Sequence, residues 1–240
     1  MTDLDLSRFD ALTFDCYGTL IDWESGIVAA MCPVLARSGV DVPDEALLEA
    51  YARHEAGIEE GPYRRYRDVL GLALRGVAAD LGATVTDEDA AAFGGSVPDW
   101  PAFPDSAAAL AALHGRYRLG VLTNCDDDLF AGSSRRLGEP FDLVVTAQQV
   151  GAYKPSHRGF EIVFDRIGVP RDRILHVAQS LFHDHVPAKE LGLATVWVNR
   201  RHGWAGSGAT PPAEAVPDLE VPDMATLAGL AARWSAPPSW

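Results

Sequence analysis

The sequence has few cysteines, no long apolar run and fewer cations than anions, and each shortage excludes a class of protein. Its three cysteines, Cys16, Cys32 and Cys125, include no closely spaced pair, so they form neither a disulfide framework nor a zinc motif. No run approaches the roughly 18 apolar residues of a membrane-spanning helix. The acidic start also lacks the apolar segment of a signal peptide. We therefore expect a cytoplasmic protein that does not act at a membrane.

Basic residues are scarce, because 20 Lys and Arg stand against 34 Asp and Glu and give a formal net charge of -14. Proteins that bind nucleic acid usually carry a basic face, so this balance disfavours a nucleic-acid partner. An anionic substrate would need local cations to hold it against the overall charge. The chain has 240 residues, 48% of them apolar, and can bury a full core as one domain or as a core with an insertion.

A carboxylate follows the first apolar run. Residues 11–14, Ala-Leu-Thr-Phe, predict a buried strand, and Asp15 stands where that strand ends. Gly18 permits a tight turn, and Thr19 can hydrogen-bond within the loop. Ligands of open α/β sheets bind beyond the carboxyl ends of strands, so Asp15 has the position of a reactive group. The alternative is an Asp that merely starts a turn.

The rest of the chain predicts further strands that alternate with helices. Apolar strands without polar alternation indicate a parallel sheet covered on both faces, which is an α/β fold of Rossmann-like type. Those strands are expected at 119–123, 143–146, 174–178 and 194–199. The final segment predicts a helix from about Met224 to Trp234 and then a Pro-rich end.

Between the first strand and the second, the sequence predicts only helices. Their expected starts are Asp22, Asp44, Pro62 and Thr86, with Asp44 capping its helix and Thr86 forming a capping box with Asp89. We therefore expect a core of residues 1–21 and 97–240 and a helical cap of residues 22–96.

Polar residues that can react stand at the carboxyl ends of four separate strands. They are Asp15, the pair Thr123-Asn124, Lys154 and Asp184. These ends share one edge of a parallel sheet, so the side chains can converge. A nearby ammonium keeps a carboxylate ionised, and an ionised, partly desolvated carboxylate can act as a nucleophile. For Asn124, Lys154 and Asp184 the alternatives are helix capping or a surface turn.

Two other clusters have plainer interpretations. The spacing of His176, His183 and His185 matches no common metal motif, which disfavours a metal site there. Asp126, Asp127 and Asp128 are expected to cap a helix and to stabilise its N-terminus through the helix dipole.

The order of these motifs resembles that of the haloacid dehalogenase superfamily along nearly the whole chain. The matching segments are Phe-Asp-Cys-Tyr-Gly-Thr-Leu at 14–20, Leu-Thr-Asn at 122–124, Tyr-Lys-Pro at 153–155 and the late Asp184. Most members are phosphatases with a second Asp, a general acid, two residues after the nucleophile. Here that residue is Tyr17, so the chain looks like the L-2-haloacid dehalogenase branch. Thr-Val-Trp-Val-Asn-Arg at 195–200 is also similar to that branch.

The resemblance implies catalytic roles. Asp15 would displace the halide with inversion and form an ester that water hydrolyses, and a halide leaving group needs no acid at Tyr17. Lys154 would hold Asp15 ionised, and Asp184 would orient Lys154 or the hydrolytic water. Thr19, Thr123 and Asn124 match further motif positions.

The resemblance also implies substrate contacts. They comprise Tyr17, Asn124 near the halide, Phe160, Ser180 and a cap arginine. Arg53 is the expected arginine, with Arg64, Arg65 and Arg67 as rivals. The segment before Asp184 departs from the family, because Leu181 and His183 replace an Asn and an aromatic residue.

These observations predict a hydrolase that removes halogen from a short 2-haloacid without a cofactor. Its partner is a small anionic substrate, and a homodimer is possible. One alternative is a phosphatase that binds Mg²⁺ through Asp15, the Tyr17 carbonyl and Asp184. The other is a non-catalytic binding protein of the same fold, which the changes at 179–183 motivate.

Overall fold

The computed structural model describes residues 4–204 and 206–233. Six strands form one parallel sheet in the order β3-β2-β1-β4-β5-β6, which confirms the predicted fold class. The last strand was not expected from the sequence, because it has only three residues. The strands are β1 (Ala11–Phe14), β2 (Arg118–Thr123), β3 (Leu143–Thr146), β4 (Ile174–Ala178), β5 (Ala194–Val198) and β6 (Leu219–Val221). Trp234 and the Pro-rich end lie outside the described residues.

Helices connect the strands. The last of them begins at Met224, as predicted. In chain order the helices are α1 (Trp23–Ala36), α2 (Asp44–Glu59), α3 (Tyr66–Asp80), α4 (Asp87–Gly94), α5 (Ser106–His114), α6 (Asp127–Arg136), α7 (Ala147–Val150), α8 (Arg158–Arg166), α9 (Val186–Glu190) and α10 (Met224–Arg233). A π-helical turn, Leu181–His185, precedes α9. Within the described chain no helix is long and apolar enough to cross a membrane.

Both faces of the sheet are buried. In β1, Leu12 and Phe14 belong to one apolar cluster, whereas Ala11 belongs to a second cluster on the other side. In β2 the same alternation sends Val121 to the first cluster and Leu122 to the second. Two covered faces explain why the strands lack an apolar–polar alternation in the sequence.

The register of the strands brings their carboxyl ends to one edge of the sheet. Phe14 pairs with Val121 on one side and with Val177 on the other. The next residue, Asp15, donates its backbone N–H to the Val177 carbonyl at 3.1 Å. The loops after β1, β2 and β4 therefore start at the same level, and their polar side chains can meet there.

The four helices α1 to α4 lie between β1 and β2 in sequence and are called the helical insert below. Asp22 caps α1, and Thr86 forms the predicted capping box with Asp89 at α4. α2 begins at Asp44 as predicted, but the capping role expected of Asp44 was wrong, because Pro43 occupies the N-cap position and α2 has no side-chain cap. The predicted start near Pro62 was also wrong, since α3 begins at Tyr66.

Candidate active site

Asp15 lies just beyond β1 and is only 6% exposed. Its Oδ2 accepts a hydrogen bond of 2.7 Å from the Thr19 hydroxyl, and its Oδ1 accepts one of 2.8 Å from Lys154 Nζ. Gly18 has a φ of +87°, a left-handed conformation that glycine adopts without strain, and it turns the chain so that Thr19 reaches back to Asp15. The Thr19 oxygen also accepts from the Gln179 amide at 2.9 Å, which ties the loops after β1 and β4 together.

The ammonium of Lys154 lies between two carboxylates. Nζ is 2.8 Å from Asp15 Oδ1 and 2.7 Å from Asp184 Oδ1, and all three side chains are buried. The same Asp184 oxygen lies 2.9 Å from His176 Nε2, whose ring is fixed on its other side by the Thr13 hydroxyl at 2.9 Å. Asp184 Oδ2 is buried and has no hydrogen-bond partner in the described chain, so one carboxylate oxygen can accept from a water or a substrate.

The charges of this group depend on one another. Burial lowers the pKa of Lys154, but Asp15 and Asp184 outweigh it and raise that pKa above its usual value, so the ammonium stays charged. Burial raises the pKa of Asp184, but Lys154 and then His176 outweigh it and hold that pKa well below its usual range. Burial raises the pKa of Asp15, and repulsion from Asp184 adds to that rise. Lys154 and Thr19 lower the pKa but offset only part of the increase.

Asn124 holds Lys154 in place through the backbone. Its Oδ1 accepts from the Lys154 amide at 2.7 Å, and its Nδ2 donates to the Lys154 carbonyl at 3.1 Å. The second Nδ2 hydrogen is directed at Glu59 Oε2, 3.3 Å away. Contact between Asn124 and a halide would therefore require release of Glu59. Thr123 does not line the cavity around Asp15; its hydroxyl is buried at the end of β2 without a partner in the described residues.

Tyr17 takes the place where a second aspartate would be expected in a phosphatase. Its hydroxyl lies 3.3 Å from Cys125 Sγ and 3.1 Å from Ser133 Oγ. Burial raises the pKa of Tyr17 well above its usual value. The Tyr17 ring lines the cavity as predicted, while its hydroxyl stays neutral and is held by the core.

The three histidines near β4 have separate partners. His183 Nδ1 lies 3.1 Å from the Ser180 hydroxyl, and His185 Nε2 lies 3.0 Å from the Ala178 carbonyl. Burial lowers the pKa of His183 and that of His185 to about 4, so both rings are neutral near pH 7. Over the residues described here, no group of three or more His, Cys, Asp or Glu side chains is placed to hold a metal ion.

These groups line a cavity of about 30 Å³ whose wall includes residues of the helical insert. That volume admits one or two water molecules but no organic substrate. The cavity is lined by Asp15, Tyr17, Trp23, Glu55, Glu59, Tyr66, Asn124, Lys154, Ser180, His183, Asp184 and Thr210. Half of this lining was named from the sequence, and the other half was missed. The missed residues are Trp23, Glu55, Glu59, Tyr66, His183 and Thr210. For Glu55 and Glu59 the sequence held a usable signal. Their i, i+4 spacing on an amphipathic helix was the signal that could have found them.

The prediction for Arg53 was wrong. Arg53 is exposed and does not line the cavity, because it lies two residues before Glu55 on α2, on the opposite side of the helix. The rival arginines also lie elsewhere: Arg64 is exposed, and Arg65 and Arg67 pair with Asp128. In the described part of the chain the cavity therefore has carboxyl groups where an arginine was expected.

The prediction for Phe160 was wrong as well. Phe160 is 1% exposed and packs in the second apolar cluster, so it contributes no surface to the cavity. Its ring meets the edge of His176 with centroids 5.1 Å apart. Phe160 therefore supports the histidine that holds Asp184, as part of the packing of α8 on the sheet. Ser180, by contrast, lines the cavity.

Asp126 does not cap α6, although the sequence predicted that role. Its carboxylate accepts instead from the amides of Tyr66 and Arg67, at 3.0 and 3.2 Å, and so caps α3 of the helical insert. Arg65 and Arg67 pair with the neighbouring Asp128. The loop after β2 is thus the point at which the core holds the insert over Asp15.

The comparison with known families rests on the segment that carries Asp15 and Lys154. The model of the haloacid dehalogenase-like hydrolases aligns with residues 9–181, a range that ends three residues before Asp184. The chain belongs to this family. Haloacetate dehalogenase H-2 of Moraxella sp. is 26% identical over 236 residues, which cover 95% of this chain and 100% of that protein.

Two further proteins are similar to this chain, one in sequence and one in structure. Pyrimidine 5'-nucleotidase YjjG of Escherichia coli is 32% identical over 111 residues, covering 45% of this chain and 49% of that protein. The structure of L-2-haloacid dehalogenase from Xanthobacter autotrophicus with chloropropionic acid covalently bound aligns with a TM-score of 0.77 at 21% identity. That alignment covers 93% of this chain and 98% of the other, and it shows the shared fold.

Proposed function

We propose that this haloacid dehalogenase-like hydrolase cleaves the carbon–halogen bond of a short 2-haloacid through an ester on Asp15. The observation that carries the proposal is the Lys154 ammonium, buried between Asp15 and Asp184, together with a Tyr17 hydroxyl that is hydrogen-bonded to Cys125 and Ser133. Such a site supplies a carboxylate nucleophile but no acid at position 17, which suits a leaving group that departs as an anion.

In the first step a carboxylate oxygen of Asp15 attacks the halogen-bearing carbon. The new C–O bond forms as the carbon–halogen bond breaks, the halide leaves with the electron pair, and the carbon is inverted. Lys154 favours the ionised form of Asp15 against the effect of burial, and Thr19 fixes the orientation of its carboxylate. Burial of Asp15 lowers the cost of this step, because it removes water that would otherwise solvate the nucleophile.

In the second step water attacks the carbonyl carbon of the Asp15 ester. The acyl C–O bond breaks, the 2-hydroxy acid leaves, and Asp15 recovers its carboxylate while one proton passes to solvent. Asp184 Oδ2 would accept a hydrogen bond from that water, and its burial without a protein partner in the described chain supports this role. Lys154 then stabilises the carboxylate as it reforms.

The test is a single turnover of a 2-chloro acid with excess enzyme in water enriched in heavy oxygen. Label is expected in the Asp15 carboxylate, because water attacks the enzyme ester rather than the substrate carbon. Mass spectrometry of the peptide containing Asp15 measures it. Halide release without label in that peptide contradicts the covalent mechanism, and Asp15→Asn is the control that should release no halide.

A magnesium-dependent phosphatase is the second candidate, because one relative is a nucleotidase. Asp15 and Asp184 offer oxygens, but the Tyr17 hydroxyl provides no acid for an alkoxide leaving group. Turnover of phosphate esters that a chelator abolishes, without halide release from 2-haloacids, would favour this candidate.

The helical insert is proposed to act as a cap that opens to admit substrate, since the closed cavity holds only about 30 Å³. A non-catalytic role is disfavoured by the intact contacts among Asp15, Lys154 and Asp184. The homodimer and the cytoplasmic location expected from the sequence stay predictions.

A further inference from the structure

Two carboxyl groups of α2 face the nucleophile across the cavity. Glu55 and Glu59 stand one helical turn apart and both line the space around Asp15. Glu55 Oε1 accepts from the Tyr51 and Tyr66 hydroxyls at 2.6 and 2.8 Å. Glu59 has a different environment: Oε2 receives only the Asn124 amide at 3.3 Å, and Oε1 is buried with no hydrogen-bond partner among the described residues.

The cavity does not contain enough positive charge for all of its carboxyl groups to ionise. Lys154 is the only Lys or Arg in the described lining, and its ammonium already bonds two carboxylates. If Glu55 and Glu59 were also ionised, four carboxylates would share one ammonium in an enclosed space. Unpaired buried charge is expensive, and such groups take up protons instead.

The two glutamates differ in how strongly they retain a proton. Burial raises the pKa of Glu55 to about 7, although the two tyrosine hydroxyls favour its charged form. Burial also raises the pKa of Glu59 well above its usual value, repulsion from Glu55 adds to the effect, and Lys154 opposes it. Glu59 therefore retains its proton to higher pH than an ordinary glutamate, and its unpartnered Oε1 can carry that proton.

We propose that Glu59 binds the substrate as a neutral carboxylic acid and donates a hydrogen bond from Oε1 to the substrate carboxylate. This inference rests on the proposed function, because it assigns the group that receives the acid end of a 2-haloacid. Glu59 would take the role expected of an arginine, but unlike an arginine it loses its proton as pH rises. An ionised Glu59 would repel the same substrate, so substrate binding should be stronger at low pH than at high pH.

Binding is expected to weaken as pH rises. The protonated fraction of Glu59 falls above its pKa, so kcat/KM falls about tenfold for each further pH unit while kcat changes less. Several groups around Glu59 also titrate or carry charge. They are Glu55 on α2, Tyr66 on α3, and Asp15, Tyr153, Lys154, His183 and Asp184 of the core. Burial raises the pKa of Tyr66 and that of Tyr153 well above the usual value, so neither loses its proton in the range tested.

The experiment compares kcat and KM for 2-chloropropionate between pH 5 and pH 10, in about 0.1 M salt, for the full chain and three variants. Glu59→Gln keeps an N–H donor that cannot ionise, and it should abolish the alkaline rise in KM while staying active. Glu59→Ala loses the donor and should raise KM about tenfold to a hundredfold at pH 7. Glu60→Gln, an exposed neighbour, is the matched control and should leave the profile unchanged.

The outcomes separate this inference from the proposed function. An alkaline rise in KM that persists unchanged in Glu59→Gln overturns the role of Glu59, even though halide is still released. A wild-type protein that releases no halide from 2-chloropropionate at any pH overturns the proposed function itself. Faster turnover of 2-chloropropionamide than of the acid, increasing with pH, would also overturn the inference, because it would show that ionised glutamates select an uncharged substrate.

Discussion

At the scale of single residues, Lys154 determines the charge of the whole site. Its ammonium bonds Asp15 and Asp184 at 2.8 and 2.7 Å, and a buried pair or triad of this kind depends on every member. Removal of the ammonium would leave two carboxylates buried together, and the pKa of Asp15, already raised by burial, would rise further.

Lys154→Met is therefore expected to move the acid side of the activity profile to higher pH. Activity needs ionised Asp15, so it is present above the pKa of Asp15 and lost as pH falls through it. The free energy of unfolding should fall by about 3–5 kcal/mol, because one partner of a buried ion pair is lost. Halide release against pH and denaturant unfolding measure the two effects.

The control for that variant is Lys189→Met. Lys189 pairs with Asp218 at 2.7 Å, and both side chains are about a third exposed. A pair of this kind contributes less than about 1 kcal/mol, and the substitution should leave the pH profile unchanged. Equal effects of the two substitutions would contradict the role given to Lys154.

At the scale of elements, the start of α3 depends on a carboxylate from another part of the chain. α3 begins at Tyr66 because Asp126, fully buried, accepts the first two free amides of the helix. Pro62 suited a helix start, but no side chain of the insert supplies an equivalent cap in the described structure. The same contact attaches the insert to the loop after β2, next to Asn124.

Asp126→Ala should lower the free energy of unfolding by about 1–2 kcal/mol and should loosen α3 more than the core. Denaturant unfolding measures the first effect, and faster hydrogen exchange at the start of α3 measures the second. Asp128→Ala is the matched control, because its exposed carboxylate makes only surface ion pairs. If the two variants lose the same stability, the buried cap does not hold the insert.

At the scale of the whole molecule, the formal charge of -14 opposes an anionic substrate. Salt screens this repulsion, so kcat/KM for a 2-haloacid should rise a few-fold between about 0.01 and 0.3 M salt. An uncharged 2-haloamide is the control, and any turnover of it should depend little on salt. A fall of kcat/KM with salt for the acid would show that local cations, not the overall charge, govern its approach.

The arrangement of cavities in the whole molecule limits how a substrate reaches Asp15. Trp23 lines the catalytic cavity on one side and a larger cavity of about 500 Å³ on the other. The larger cavity lies between the start of the helical insert and the loops of the core, where Gly18 and Gln179 contribute to its wall. A substrate too large for about 30 Å³ therefore needs movement of the insert or of Trp23 to reach Asp15.

The sequence alone determined the parallel sheet, the helical insert and the position of Asp15 at the end of β1. Apolar runs and strand-end polar residues are local signals, and the motif order specified Lys154 and Asp184. Only the tertiary structure decided which side of α2 faces Asp15, and so placed Glu55 and Glu59 rather than Arg53 in the cavity. The rotation of a helix depends on packing with distant segments, as does the transfer of Asp126 from its own helix to α3.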